Sequence, residues 1–289
     1  MFFVQFFSSF LNPQTWINGL LLGGIYALLG VGMTMIFGIV KLTNLAHGEF
    51  VILGAYGATM LARWIGVDPI LTMVITVPLM FILGVVLQSV LINRVMQRGS
   101  EPALLVTFGL SIILQNVMLL LFTADAQRAN VPYNISNIKI GNYTISVLTL
   151  ILFAVCLVTI GLLTLFLRKT YLGRAIRATS DDTAAASLMG VSVKKTYAIA
   201  LGIAMATAAV AGLGVGMRWT FYPSSGGSYL LIAFGGVVIG GMGSIPGTLV
   251  AGLVCGLAQG IGGANYGQLI SYILLIIMLA VRPQGLFSK

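Results

Sequence analysis

The sequence predicts an all-α polytopic membrane protein with about eight to nine transmembrane helices, some broken or re-entrant, forming one domain over residues 1–289. Three observations carry this expectation. Hydrophobic side chains make up 58% of the chain and charged ones only 7%, too few to clothe a soluble domain of this size. Apolar runs long enough to cross about 30 Å of hydrocarbon recur from one end to the other. Glycine, proline and polar residues punctuate those runs, and in two places they interrupt them in a way that a straight helix cannot follow.

The elements follow in order. Phe3, Phe6, Phe7 and Phe10 share one helical face ahead of Asn12-Pro13, which suits a short interfacial helix. The opening decamer has neither a basic start nor a small-residue cleavage site, so it does not read as a cleavable signal. Spans are expected near 16–40, 48–64, 69–92, 103–122, 147–167, 197–216, 230–242, 247–263 and 268–281. If all nine cross, one side collects Lys41, Arg94, Arg98, Arg168, Lys169, Arg174, Arg177, Lys194, Lys195, Arg282 and Lys289, eleven of the fifteen basic residues. That side is expected to be cytoplasmic, with the polar 123–146 loop and the N-terminus outside. The same distribution argues against nucleic acid as the partner of the +9 net charge and for lipid. Cys156 and Cys255 lie inside apolar runs and read as small buried side chains.

The first interruption is KLTNLAHGEF, residues 41–50, which holds the only histidine and one of two glutamates. His47 and Glu49 admit three readings: an interfacial pair in water, a gate or substrate-adjacent group, or a proton relay. The relay lacks further buried carriers, and one His with one Glu supplies too few ligands for a metal. The second interruption is GGMGSIPG, residues 240–247, with four glycines and a proline. Paired breaks in corresponding parts of two halves point to a transport site, so Asn44, His47, Glu49, Gly243 and Ser244 are candidate path residues. Thr107, Ser111 and Gln115, spaced by four, add a neutral polar stripe on one helix face, either interhelical glue or path lining. Such a path suits a small uncharged or zwitterionic solute. Gly252, Gly256 and Gly260 make a smooth face for close helix approach.

The 168–195 loop has helix-turn-helix grammar. Ser180 or Asp181 can cap a short helix that Gly190 stops, and Ser192 can cap the next span. The tip of that helix is apolar, at Leu188 and Met189, which invites a partner's groove or the protein's own underside. No Walker A pattern occurs, so an ATP-driven function requires a separate ATPase. A hydrolase would need Ser224, Ser225 or Ser228 to meet His47 without a nucleophile-elbow motif.

Taken together, LTNLAHGEFVILGAY (42–56), VTFGLSIILQN (106–116), LGRAIRATSDDTAAASLMGVSV (172–193), GGMGSIPGTLVAGL (240–253) and RPQGLF (282–287) resemble the permease subunits of branched-chain amino acid ABC importers, nearly end to end. The resemblance implies a permease of the bacterial inner membrane that carries branched-chain or other hydrophobic amino acids. It further implies an identical or related second permease, two ATPase subunits that bind ATP and Mg, a periplasmic or extracellular substrate-binding protein, and no cofactor on this chain. Such permeases carry an E-A-A-x-x-x-G element that meets the ATPase. Ala185, Ala186 and Gly190 match it, Ala184 stands at the glutamate position, and Leu188 and Met189 complete the expected coupling surface. Permeases for urea or short amides look similar, and a channel or ion-coupled carrier working without an ATPase is the alternative of another class.

Overall fold

The computed structural model describes residues 10–96, 99–131, 133, 136–141, 143–282 and 284–287. Phe3, Phe6, Phe7, Arg98 and Lys289 lie outside the described residues, and with them most of the expected interfacial helix. Each of the nine expected spans corresponds to a helical segment. They are α1 (Pro13–Val40), α2 (His47–Ile65), α3 (Met73–Leu87, carried on to Met96 through a π-turn at Gln88–Ile92), α4 (Ser100–Phe122), α5 (Val147–Lys169), α8 (Val193–Arg218), α9 (Gly226–Gly240) and α10 (Ile245–Val281). The last is two helices, because Gly263 leaves helical geometry at φ 63° and ψ −162° and turns the chain back on itself. Between α5 and α8 lie α6 (Tyr171–Asp181) and α7 (Thr183–Leu188).

Seven of these segments are long and apolar enough to cross a membrane. The other two are α2, which carries a polar start, and the 16-residue Tyr266–Val281. The all-α expectation missed a small antiparallel hairpin, β1 (Asn137–Ile140) with β2 (Tyr143–Ser146), turning at Gly141. Strands of only four residues are too short for their alternation to stand out in a sequence.

The hairpin marks one end of the bundle. Gln14 clasps it there, donating from Nε2 to the Thr144 carbonyl at 2.6 Å and accepting from the Thr144 N–H at 2.8 Å. At the other, basic end, Ser180 donates to the Gly38 carbonyl and Asn93 donates to the Lys194 carbonyl. α1 therefore runs from the hairpin end to the basic end, and α8 runs the opposite way, its Arg218 donating to Thr149 at the start of α5.

α1 and α8 are the central helices. Of their most apolar windows, 89% and 83% are buried, against 11% for α4, which lies on the perimeter. Small residues make the centre possible. Gly23 of α1 faces Gly252 and Leu253 of α10, and a Cβ there would come within 2.6 Å of the Leu253 Cα. Gly252 and Gly256 return the contact onto Ala27 and Gly23, and Gly260 meets Gly19, so the four-residue glycine spacing forms a seam. Thr34 and Thr248 share a hydrogen bond of 2.6 Å across the same interface. On α8, Ala209 packs on Gly54 and Gly212 on the Val51 carbonyl of α2.

Candidate translocation site

Two interrupted crossings meet near the middle of the bundle. α1 ends at Lys41, which takes a left-handed conformation with φ 53° and bonds back to the Phe37 carbonyl. Residues 42–46 then travel without helix. Asn44 organises the restart: its Oδ1 accepts from the Ala46 N–H at 3.0 Å and its carbonyl accepts from the His47 N–H at 3.2 Å. The His47 Nε2 lies 3.0 Å from the carbonyl of Leu29, deep in α1, which fixes the depth at which α2 begins. The Leu45 N–H is satisfied by Thr107 Oγ1 of α4 at 3.3 Å, while that hydroxyl donates to the Leu104 carbonyl at 2.9 Å.

The second interruption follows α8 rather than α9. Past Trp219 the chain is extended, Phe221 exchanges backbone bonds of 2.9 and 3.0 Å with Gln127, and a 3₁₀ turn at Pro223–Ser225 leads into α9 at Gly226. The pairing of KLTNLAHGEF with GGMGSIPG is thereby corrected: its counterpart is WTFYPSSGGS, residues 219–228. Both counterparts come after a central helix, and they enter the bundle from opposite ends. GGMGSIPG does break the helix, with Gly241 at φ 99° and Gly243 at φ 87°, but it makes the turn between α9 and α10 at the basic end, where Ser244 caps α10 by accepting from the Gly247 N–H.

The two restarts touch. Gly48 lies against the Gly226 carbonyl and the Leu230 Cβ, leaving no room for a side chain, and the Glu49 carboxyl rests on Gly226. Ser111 Oγ donates to Glu49 Oε1 at 3.4 Å. Two helix N-termini thus converge, each with a partial positive charge, and Glu49 is the acidic side chain set between them. Asn44, His47 and Glu49 are each at least 96% buried, and Asn44 Nδ2, His47 Nδ1 and Glu49 Oε2 have no hydrogen-bond partner among the described residues. A buried acceptor left unpaired costs about 1–3 kcal/mol, so the centre keeps unused polar capacity. Toward the hairpin end it is closed by Tyr56, which stacks on Phe122 at 4.3 Å and meets Phe221 edge-on at 4.9 Å.

The structure brings Asn44, His47, Glu49, Thr107 and Ser111 together. Thr107 is fully buried glue, whereas Ser111 and Gln115 are half-buried at the margin of the exposed face of α4. Gly243 and Ser244 stand apart. Gly243 packs on Gly38, nine residues beyond Leu29 along α1, about 14 Å at the helical rise. There it borders a small cleft with Arg177 and Ser180 of α6, which places it against the 168–195 loop. The residues missed by sequence reasoning are Gly226, Gly227 and Ser228, the last two exposed beside the site. Their signal is Pro223 with two glycines and three serines just after a central helix, a cluster whose serines alone suggest only a hydrolase.

In the loop, Asp182 rather than Ser180 or Asp181 caps α7, accepting from Ala184 N–H at 2.8 Å and Ala185 N–H at 3.0 Å. Ser192 is the N-cap residue of α8 but makes no side-chain cap bond. Gly190 stops α7 at φ 82° as its position suggested. Ala186 is buried against the rest of the chain, Ala184 and Ala185 are exposed, and Leu188 and Met189 project at 89% and 85% exposure.

Against known proteins, residues 15–280 match the family described as "Branched-chain amino acid transport system / permease component". The chain is 32% identical to the high-affinity branched-chain amino acid transport system permease protein BraD of Pseudomonas aeruginosa, across 96% of this chain and 95% of that one. It is likewise 32% identical to the corresponding permease LivH of Escherichia coli, over the same shares. Among solved structures, PsaBC from Streptococcus pneumoniae in complex with Fab aligns over 98% of this chain and 97% of its own, with a TM-score of 0.49 and 14% identity. With a family match over nearly its whole length and crossing helices throughout, the chain is a multi-pass membrane protein that belongs to the family of branched-chain amino acid transport permease components.

Proposed function

We propose that the chain is the permease subunit of an ATP-driven, binding-protein-dependent importer of branched-chain or other hydrophobic amino acids in the bacterial cytoplasmic membrane. The observation that carries this reading is the polar margin at mid-span. Ser111, Gln115, Gly227 and Ser228, with exposed Asn116 beside them on α4, edge a largely apolar exposed surface and lead inward to Glu49. A polar edge on a lipid-facing surface is costly, so this side is covered by a second permease, identical or related, and the path runs between the two. The relatives named for branched-chain amino acid transport support the cargo.

The basic end, which holds nine of those eleven basic residues among the described ones, faces the cytoplasm. The α6–α7 element projects from it and docks on one of two ATPase subunits, which bind ATP and Mg²⁺; this chain performs no catalysis and carries no cofactor. The hairpin end receives the periplasmic or extracellular substrate-binding protein. Cysteines placed singly at Ser136 and Ser187, in a variant lacking Cys156 and Cys255, test the orientation. An impermeant thiol reagent added to intact cells is expected to label the first and spare the second, and the reverse pattern overturns the assignment.

The function itself is tested in proteoliposomes holding the permease pair, the ATPases and the binding protein. Leucine uptake is expected to require ATP and the binding protein, and Ser111→Phe is expected to reduce it at least about ten-fold while the complex still co-purifies. A tenfold loss is about 1.4 kcal/mol, a modest demand for a blocked path. Uptake without ATP sinks the importer reading; full uptake by Ser111→Phe removes α4 from the path.

A further inference from the structure

We infer that the junction of α2 and α9 is a recognition site for the zwitterionic head of the cargo, with Glu49 taking the ammonium and the N-terminus of α9 taking the carboxylate. This rests on the permease reading above and deepens it, because it gives this chain a selection step of its own, separate from the binding protein.

Glu49 is the acidic residue among the described ones that lies deep in a crossing: Asp68, Glu101, Asp125, Asp181 and Asp182 all sit at or beyond helix ends. Its carboxyl has one long bond from Ser111 at 3.4 Å, and its Oε2 is buried without a partner. An ammonium supplies up to three donors on a compact charge, which suits an acceptor with free lone pairs. The neighbouring His47 turns its Nε2 to the Leu29 carbonyl, and among the described residues the bond to the carboxyl comes from the neutral Ser111 rather than from a cation.

The second half of the site is independent of the first. α9 is 15 residues long, and Ser225 at its N-cap makes no side-chain cap bond. The first N–H groups of any helix have no intrahelical acceptor, and the dipole favours an anion there. Gly227 and Ser228 at this turn are exposed, and with no side chain on Gly227 a ligand can approach the backbone closely. Because Glu49 rests directly on Gly226, the anionic and cationic subsites adjoin as the two groups of an α-amino acid do. The apolar side chain then lies toward Leu231, exposed one turn further along α9.

The test uses the assembled permease–ATPase complex without binding protein. Leu231→Cys, in a variant lacking Cys156 and Cys255, is alkylated in the presence of leucine, of 4-methylpentanoate, which lacks the ammonium, or of 3-methylbutylamine, which lacks the carboxylate. Leucine at about ten times its dissociation constant is expected to slow labelling about ten-fold, and the two analogues are expected to leave it unchanged. Glu49→Gln is expected to abolish the leucine effect. Protection by 4-methylpentanoate equal to that by leucine overturns the ammonium role in the wild-type site whether or not the variant assembles. Protection by the amine equal to leucine overturns the carboxylate role. A complex that imports leucine once ATP and the binding protein are supplied, yet shows no protection in their absence, overturns the inference and spares the permease reading; a complex that imports no leucine even when they are supplied sinks both.

Discussion

Gly48→Ala is expected to abolish uptake and to lower the stability of the permease, although it adds one methyl group. The new Cβ would overlap the carbonyl group of Gly226 and press on the Cβ of Leu230. Two of those atoms belong to the backbone at the start of α9, so no rotamer change relieves the clash. Overpacking of this kind costs about 1–3 kcal/mol, and more where backbone must shift. Whatever shift occurs separates the two helix starts and moves Glu49 off Gly226. Gly161→Ala on α5 is the control, since a Cβ there meets nothing within 4 Å. It is expected to be neutral or slightly stabilising by helix propensity. Thermal unfolding of the purified complex and leucine uptake read both effects; wild-type uptake by Gly48→Ala would show that the close approach of the two starts is not needed.

The second large effect is expected in the α6–α7 element. Ala186 is buried and anchors α7, while Leu188 and Met189 point away from this chain. Burying two such side chains in a partner groove contributes roughly 3–6 kcal/mol in favourable packing. Leu188→Asp puts an unpaired charge into that contact and is expected to lose ATPase co-purification and uptake together. Gly190→Val reaches the same end by another route, because a β-branched residue is strained at φ 82° and misdirects α7. Both substitutions lie outside the crossings, so insertion is expected to be normal. If Leu188→Asp retains its ATPase and transports at the wild-type rate, α7 does not couple the subunits.

Much of this architecture was legible in the sequence. The nine helical segments were readable as apolar runs, seven of them long and apolar enough for the bilayer, and the glycine seam because spacing by four is a helical face. The oddity of 41–50 was visible because ionisable residues are rare elsewhere in the crossings. What could not be read was which break pairs with which. GGMGSIPG is richer in glycine than YPSSGGS, yet it proved to be a turn at the basic end, since glycine content reports local backbone freedom and says nothing of depth. The stripe on α4 was likewise divided by geometry alone: Thr107 faces inward and Ser111 sits at the margin, a difference of rotation that four-residue spacing does not resolve. The α7 cap moved to Asp182, one residue beyond Asp181, because adjacent acidic residues are equivalent in pattern and only the bend of the chain selects one.

The bond from the Leu45 N–H to Thr107 bears on how the protein is made. Residues 42–46 have no helix to absorb their backbone polarity, and in hydrocarbon an unpaired N–H has no water to turn to. The acceptor for Leu45 is supplied 62 positions later in the chain. During synthesis the second crossing therefore exists before the residue that completes it, and it cannot settle into lipid alone. The start of α2 reaches its final hydrogen bonding only once α4 lies beside it, so these helices complete one another as a group rather than singly.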